Sequence, residues 1–161
     1  SMPDLFWQNL LIQEAWIDDA SPEDLAEFID QLRLTGAIEV ACNPVQMKKG
    51  RIGMNVKAIV HSDVAEKLRS IWFLKGTTIG LRESVIGRWL LPRRRGSCMT
   101  SYGEIACKQV KRPDGSFTLK PEHSDLLRVS AESRQSLDQL RKEIILVSDK
   151  FVPNEDWSFS S

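Results

Sequence analysis

The chain has 161 residues, of which 42% are apolar and 27% charged, enough for one domain with a core or for a domain with a small appendage. Its 22 basic and 22 acidic residues cancel, so no overall field attracts the chain to nucleic acid or to a membrane surface. Because no apolar run approaches the ~20 residues that span a bilayer and no charged-then-apolar leader is present, we expect neither a membrane partner nor a nucleic-acid partner.

Cysteine and histidine usage indicates a reducing compartment. Cys42, Cys98 and Cys107 form no C-x-x-C pair, and an odd number of scattered cysteines is typical of reduced proteins. The two histidines, His61 and His123, lie far apart, which argues against a classical zinc site. We therefore expect a cytoplasmic protein.

The first 91 residues alternate between extended and helical patterns. Ser21 and Pro22 suit the N-cap and first turn of a helix, and Gly36 suits its end. The predicted strands cover 9–17, 37–46, 54–61 and 79–90, with helices after Ser21 and after Ser62. This βαββαβ order predicts an α+β fold with a ferredoxin-like split βαβ sandwich over residues 9–91.

The remaining sequence predicts a smaller α+β appendage over residues 92–150. It contains strands at 97–111 and 116–119, joined by a turn at Pro113-Asp114-Gly115, and helices near 122–131 and 134–147. Residues 151–161 are polar with a few aromatics, and we expect them to form a loosely ordered tail.

Three carboxylates, Glu14, Asp18 and Asp19, follow one another at the end of the first strand. Hard oxygen ligands at a strand end suit magnesium or manganese. Solvated turn residues and helix-start charges would give the same pattern, and spacing alone favours that simpler reading.

A basic turn (Lys48–Arg51) separates the second and third predicted strands. Its three cations and its glycine suit phosphate oxygens, because glycine lets the backbone approach a ligand closely. A solvated hairpin tip that discourages edge pairing would look the same. The residues leave the two alternatives open.

Two further segments carry hydroxyl groups or arginines. Thr77 and Thr78 precede Arg82 at the start of the fourth strand, and Arg93 and Arg94 follow it. As bare patterns both are weak, and the arginine run lacks the aromatic platform that RNA binding needs. Since no nucleophile motif or phosphate-binding glycine loop is present, no catalytic residue is predicted.

Taken together and in order, these segments resemble the C-terminal domain of the LarC nickel-insertion family. The resemblance runs from about residue 10 to about residue 145. The segments that carry it are Glu14 with Ile17-Asp18-Asp19, Ser21-Pro22-Glu23, Gly36-Ala37, Met47 to Arg51 with Gly53, Thr77 to Arg82, Tyr102-Gly103, and Pro121-Glu122 with Asp125.

The resemblance implies a CTP-binding domain of a cyclometallase, a lyase that inserts nickel into a pyridinium bis-thiocarboxylate mononucleotide. It implies Mg²⁺ or Mn²⁺ as cofactor, nickel as substrate, a histidine-rich N-terminal half as partner, and a homo-oligomer. By analogy, phosphate groups would be held by Lys48, Lys49, Gly50, Arg51, Thr77, Thr78, Arg82, Arg93 and Arg94, and metal by Glu14, Asp18 and Asp19.

Two departures from the family pattern define an alternative. Trp16 replaces an asparagine after Glu14, and Lys75 replaces a glutamate before the threonines. The histidine-rich half is absent from this sequence, so we expect this chain by itself to lack the family's activity. The alternative is a non-enzymatic, oligomerising interaction module that has kept the family scaffold and lost its nucleotide chemistry.

Overall fold

The computed structural model describes residues 5–159, which divide into two compact units. One unit spans Trp7–Arg88, and the other contains Phe6 and the residues from Trp89 onward. Within the described range, no helix is long and apolar enough to cross a membrane.

The first unit is a four-stranded antiparallel sheet with two helices. Its elements are β1 (Phe6–Ile17), α1 (Pro22–Thr35), β2 (Glu39–Gln46), β3 (Ile52–Val60), α2 (Ala65–Lys75) and β4 (Arg82–Leu90). The terminal residues Phe6 of β1 and Trp89 and Leu90 of β4 belong to the second unit. The strand order β2-β3-β1-β4 places β3 between the two strands that α1 connects. The predicted α+β class and its split βαβ sandwich are confirmed.

Local sequence signals fix the ends of α1 and the place of β2. The Ser21 hydroxyl accepts a hydrogen bond from the backbone N–H of Asp24 at 3.1 Å, as an N-cap should. The helix ends at Gly36, whose φ of 122° favours glycine. Pro44 lies on an edge strand, as its missing N–H requires.

Alternate residues of β1 face the helices and build the core. Ala15 and Ile17 are buried against Phe28 and Trp72, whose rings pack edge to face at 5.0 Å. Gln13 lies in the same row and is fully buried. Its amide nitrogen donates to Ala65 O and to Glu83, and its oxygen accepts the Trp72 indole N–H at 3.2 Å.

The second unit is a four-stranded sheet covered by two helices. Its elements are β5 (Arg93–Thr100), β6 (Gly103–Lys111), β7 (Phe117–Pro121), α3 (His123–Ser133), α4 (Leu137–Leu146) and β8 (Val152–Pro153). The strand order is β7-β6-β5-β8. Its core joins Cys98, Ile105 and Cys107 of the sheet to Leu126 of α3 and Leu140 of α4.

The sequence interpretation of 97–111 as one strand was wrong. These residues belong to two strands, β5 and β6, which are joined by a tight turn. The Thr100 hydroxyl accepts from the Tyr102 N–H at 3.1 Å and donates to Gly103 O at 2.7 Å. Gly103 adopts a φ of 129°. This turn was missed because it depends on one threonine side chain and one glycine, with no cluster of turn residues.

The chain after α4 pairs with the edge of the second sheet. Val152 and Pro153 form β8 against β5, and Ser158 forms an antiparallel bridge with Arg93. Phe159 stacks on Phe6 with 5.0 Å between ring centroids. How mobile this tail is in solution stays a prediction, but its described residues have defined partners.

Candidate functional site

Three segments that are distant in sequence meet at one end of the first sheet. Ile17, the last residue of β1, is in register with Met54 near the start of β3, so the loop after β1 lies beside the basic turn. β4, the other neighbour of β1, begins at Arg82. The strand order therefore brings three segments to the same end of the sheet: the acidic segment (Asp18 and Asp19), the basic turn, and the threonine-rich segment before β4 (Thr77 and Thr78).

Arg51 and Asp18 form the direct link between the basic turn and the acidic segment. Their side chains lie 2.8 Å apart (Nη2 to Oδ2), and Arg51 is the more exposed of the two. Glu14 lies further up β1, facing Lys57 of β3 at 3.9 Å. Two of the three predicted metal-binding carboxylates are thus paired with cations, which lowers their negative potential toward a metal.

The basic turn itself is a short, exposed 3-10 turn. Lys49 and Gly50 have positive φ values of 60° and 72°, and the Met47 N–H donates to Arg51 O at 2.7 Å to close the turn. A Cβ on Gly50 would meet nothing within 4 Å, so that face is open to a ligand. The cations are presented to solvent, as anion binding requires.

Gly53, the second residue of β3, packs closely against the basic turn and against β1. A Cβ there would lie 2.3 Å from the Met47 sulfur and 3.2 Å from Ile17 O. The missing side chain therefore makes room for Met47 and for β1, which anchors the basic turn. It does not open the backbone to a ligand.

Arg82 lies over the ring of Trp16, with its guanidinium carbon 5.3 Å from the ring centroid. Trp16 is on an exposed row of β1 and keeps 50% of its surface accessible. Cation–π stacking holds the arginine at the sheet end while its N–H groups stay available. Sequence reasoning treated Trp16 only as a departure from the family, and missed that it positions Arg82.

A small cavity of about 90 Å³ lies beside these residues. It is lined by the loop after β1, the first turns of α1 and the loop after α2, including Asp19, Asp24, Lys75 and Thr77. Asp19 and Thr77 both have positive φ, at 59° and 57°. Because non-glycine residues rarely adopt this conformation, two such positions on one cavity mark a functional-site candidate.

Asp24 is a cavity residue that the sequence did not single out as a site residue. Its position in the first turn of α1 gave no sign that the loop after α2 would face it. Thr78, by contrast, uses its hydroxyl within its own loop, accepting from the Gly80 N–H at 3.3 Å and donating to Gly80 O. Arg93 and Arg94 belong to the second unit.

The donor set fits a metal that is shared with a ligand. Among residues 5–159, no three His, Cys, Asp or Glu side chains come together as a metal-holding group. Asp19 and Asp24 nevertheless line the same cavity. Mg²⁺ usually keeps several waters and uses only one or two carboxylates together with substrate phosphates. These residues suit that arrangement.

Comparison with known proteins identifies the family. The family model described as nickel insertion protein matches residues 2–141. Relatives that carry the nickel insertion protein name occur in Synechococcus elongatus, 38% identical over 80% of this chain, and in Rhodopirellula baltica, 34% identical over 84%. The matched regions cover 32% and 34% of these relatives, so the chain spans about a third of their length.

Two solved structures share the fold. LarC2, the C-terminal domain of a cyclometallase involved in synthesis of the NPN cofactor of lactate racemase, superposes with a TM-score of 0.82 at 24% identity, over 89% of this chain and 99% of that one. Protein MK0293 from Methanopyrus kandleri superposes with a TM-score of 0.69 at 19% identity, over 97% and 98%. The resemblance inferred from the sequence is confirmed: this chain belongs to the nickel insertion protein family.

Proposed function

We propose that this chain is the CTP-binding domain of a nickel insertion protein and acts in making the nickel-pincer cofactor. CTP, with Mg²⁺ or Mn²⁺, would bind at the loop end of the first sheet. Nickel and the pyridinium bis-thiocarboxylate mononucleotide would be the substrates of the whole protein. They would be handled together with an N-terminal partner half, since this chain matches only about a third of the relatives' length.

The observation that carries this proposal is the convergence of three sequence-distant segments on one edge. Arg51 meets Asp18, Arg82 stacks beside them on Trp16, and Asp19 shares a cavity with Thr77. A polyphosphate needs several cations around one site, and a phosphate-bound metal needs nearby carboxylates. A solvated hairpin tip would need neither.

In this proposal, the basic residues would bind phosphate groups and the acidic residues would bind the metal. Lys48 and Lys49 project from an exposed turn and can contact terminal phosphates as point charges. Arg51 would exchange part of its pairing with Asp18 for a phosphate oxygen, which would release that carboxylate toward the metal. Arg82, held on Trp16, offers a forked donor to a second phosphate group.

Mg²⁺ or Mn²⁺, when bound, would neutralise phosphate charge beside Asp19 and Asp24. Lys75, in the same cavity, would favour the anionic ligand and oppose the free cation. We therefore expect the metal to bind well only together with the nucleotide. The prediction that Glu14 is a direct ligand receives the least support from the geometry, because Glu14 pairs with Lys57 further up the strand.

Calorimetry with CTP, in the presence and absence of Mn²⁺, tests the proposal. We expect binding to the unmodified chain, at least tenfold weaker binding for Lys49→Glu, and little change for the matched reversal Lys142→Glu on α4 of the second unit. Loss of one charge-assisted contact of about 1.5–3 kcal/mol corresponds to that factor. Undetectable binding to the unmodified chain would refute the proposal.

A second candidate function is the non-enzymatic, oligomerising module. The observation in its favour is that Asp18 and Glu14 are already paired with cations and that Lys75 lies in the cavity. This candidate predicts a homo-oligomer whose size does not depend on ligand. Light scattering after size-exclusion chromatography, with and without CTP and Mn²⁺, together with the calorimetry, separates the two functions.

A further inference from the structure

The second unit contains a cavity that the proposed function does not use. It has a volume of about 410 Å³, within the range of small-molecule sites, and is lined by residues of β5, β6 and β7 and of the segment that follows α4. Its polar wall is formed by Arg94, Gln109 and Asp149, and its apolar wall includes Phe117 and Phe151.

Arg94 is held in one orientation by two neighbours. Its guanidinium carbon lies 4.2 Å from the centroid of the Trp157 ring, and its Nε donates to Gln109 Oε1 at 2.8 Å. Within residues 5–159, no carboxylate forms an ion pair with this arginine, so its terminal N–H groups remain unmatched. A fixed guanidinium that presents two parallel donors is suited to the two oxygens of an anion.

Gln109 supplies a second donor to the same space. It is in the central strand β6, only 7% exposed, and its oxygen is already used by Arg94. No acceptor in the described part of the chain lies within hydrogen-bond distance of its amide nitrogen. Since Gln109 lines the cavity, this nitrogen is available to an acceptor atom of a ligand there.

Aromatic side chains and one carboxylate at this cavity indicate which class of ligand it can bind. Phe117 stacks on Trp157 with 5.8 Å between centroids, and Phe151 lies 6.0 Å from the Arg94 guanidinium, so planar side chains flank the anion position. Asp149 adds a carboxylate to the wall and disfavours a polyanion. The cavity therefore suits a ligand with one oxyanion group attached to a flat ring.

We propose that this cavity binds a small aromatic oxyanion, an aromatic carboxylate or phosphate monoester, through Arg94 and Gln109. This site is distinct from the proposed CTP site of the first unit. Arg94 would therefore bind a ligand other than CTP. The inference goes beyond the proposed function and does not depend on it.

Titration of the full chain, followed by NMR of the Gln109 side-chain amide and the Trp157 indole N–H, tests this site. The probes are phenyl phosphate and benzoate, with inorganic phosphate as an anion without a ring and benzyl alcohol as a ring without an anion. We expect saturable shifts of both signals with at least one aromatic anion, and at least tenfold weaker binding of the two half-probes. The stronger of the two aromatic anions identifies the headgroup.

Two variants separate a specific site from general attraction. Arg94→Lys keeps the positive charge but removes the paired N–H donors of the guanidinium, and it should weaken binding of the aromatic anion about tenfold or more. Arg95→Lys, at the next position of β5 and outside the cavity, should leave binding unchanged. No shift of either signal with any probe, or equal binding of phenyl phosphate and inorganic phosphate, would overturn the proposal.

The wild-type titration alone decides the matter if Arg94→Lys does not fold. Lys49→Glu should leave the phenyl phosphate titration unchanged even where it abolishes CTP binding. Failure of the CTP proposal and failure of this one are therefore distinguishable, since each has its own ligand and its own signals.

Discussion

Replacing Gln13 by leucine should destabilise the first unit by breaking the hydrogen bonds of this fully buried side chain. Gln13 accepts from the Trp72 indole N–H and donates to Ala65 O and to Glu83. Glu83 keeps Arg69 as a partner after the change, with a bond of 3.0 Å from Nη2. The Trp72 indole N–H, however, loses the acceptor that satisfied it. Ala65 O loses the donor from Gln13 but keeps its helical partner, because Ala65 is the first residue of α2.

The size of the effect follows from one orphaned donor and two lost hydrogen bonds. The buried, unpaired indole N–H costs ~1–3 kcal/mol, and the lost bonds to Ala65 O and to Glu83 cost about 1 kcal/mol each, or roughly 4 kcal/mol together. Burying the leucine side chain returns about 1.5 kcal/mol. The expected net loss in the free energy of unfolding is therefore about 2–3 kcal/mol.

Urea unfolding followed by tryptophan fluorescence measures this loss, with Gln46→Leu as the matched control. Gln46 is exposed at the end of β2, so its replacement should change the free energy of unfolding by no more than about 0.5 kcal/mol. If Gln13→Leu also stays within about 0.5 kcal/mol, the buried network does not stabilise the fold as described.

Three further results are expected. Gly53→Ala should lower the melting temperature more than Gly80→Ala. The reason is that a Cβ at Gly53 would lie 2.3 Å from the Met47 sulfur and 3.2 Å from Ile17 O, whereas a Cβ at Gly80 would face open space. Equal effects of the two variants would contradict this packing. Burial raises the pKa of the Cys107 thiol from 9.0 to about 12, so the free energy of unfolding should fall as pH rises through this interval. Cys107→Ala should flatten this pH dependence, and an unchanged slope would show that the Cys107 thiol does not cause it. The hydrogen bond from Arg69 lowers the pKa of Glu83 below 4.5, so the stabilisation by this ion pair is present above that pH and is lost on acidification. Glu83→Gln should remove this part of the loss of stability at acid pH, as measured by urea titrations. An unaltered dependence on acid pH would contradict a stabilising role of the Glu83 carboxylate.

The first unit could be predicted from sequence because its signals are local and consistent. Ser21, Pro22 and Gly36 mark the ends of α1, and alternation in β1 and β3 marks the buried face of the sheet. The split βαβ order then leaves few possible topologies. The second unit was harder because the turn between β5 and β6 depends on one threonine hydroxyl and Gly103.

The candidate site was predictable as a set of segments but not as a set of contacts. Charge and glycine spacing indicate Asp18, Asp19 and the basic turn, yet pairing depends on which strands become neighbours. That Arg51 would meet Asp18, and that Asp24 would share a cavity with Asp19, follows only from the folded loops. The positioning of Arg82 by Trp16 was likewise invisible, because cross-strand stacking leaves no mark on sequence spacing.

Locating Mn²⁺ in the presence of CTP tests the proposed nucleotide site of the first unit most directly. Bound Mn²⁺ broadens the NMR signals of nearby amides, so ¹⁵N-labelled chain titrated with Mn²⁺ and CTP reports the position of the metal. We expect selective broadening at Asp19, Gly50 and Thr77, which requires CTP and is lost in Lys49→Glu. Broadening confined to residues 89–159, or equal broadening without CTP, would contradict it.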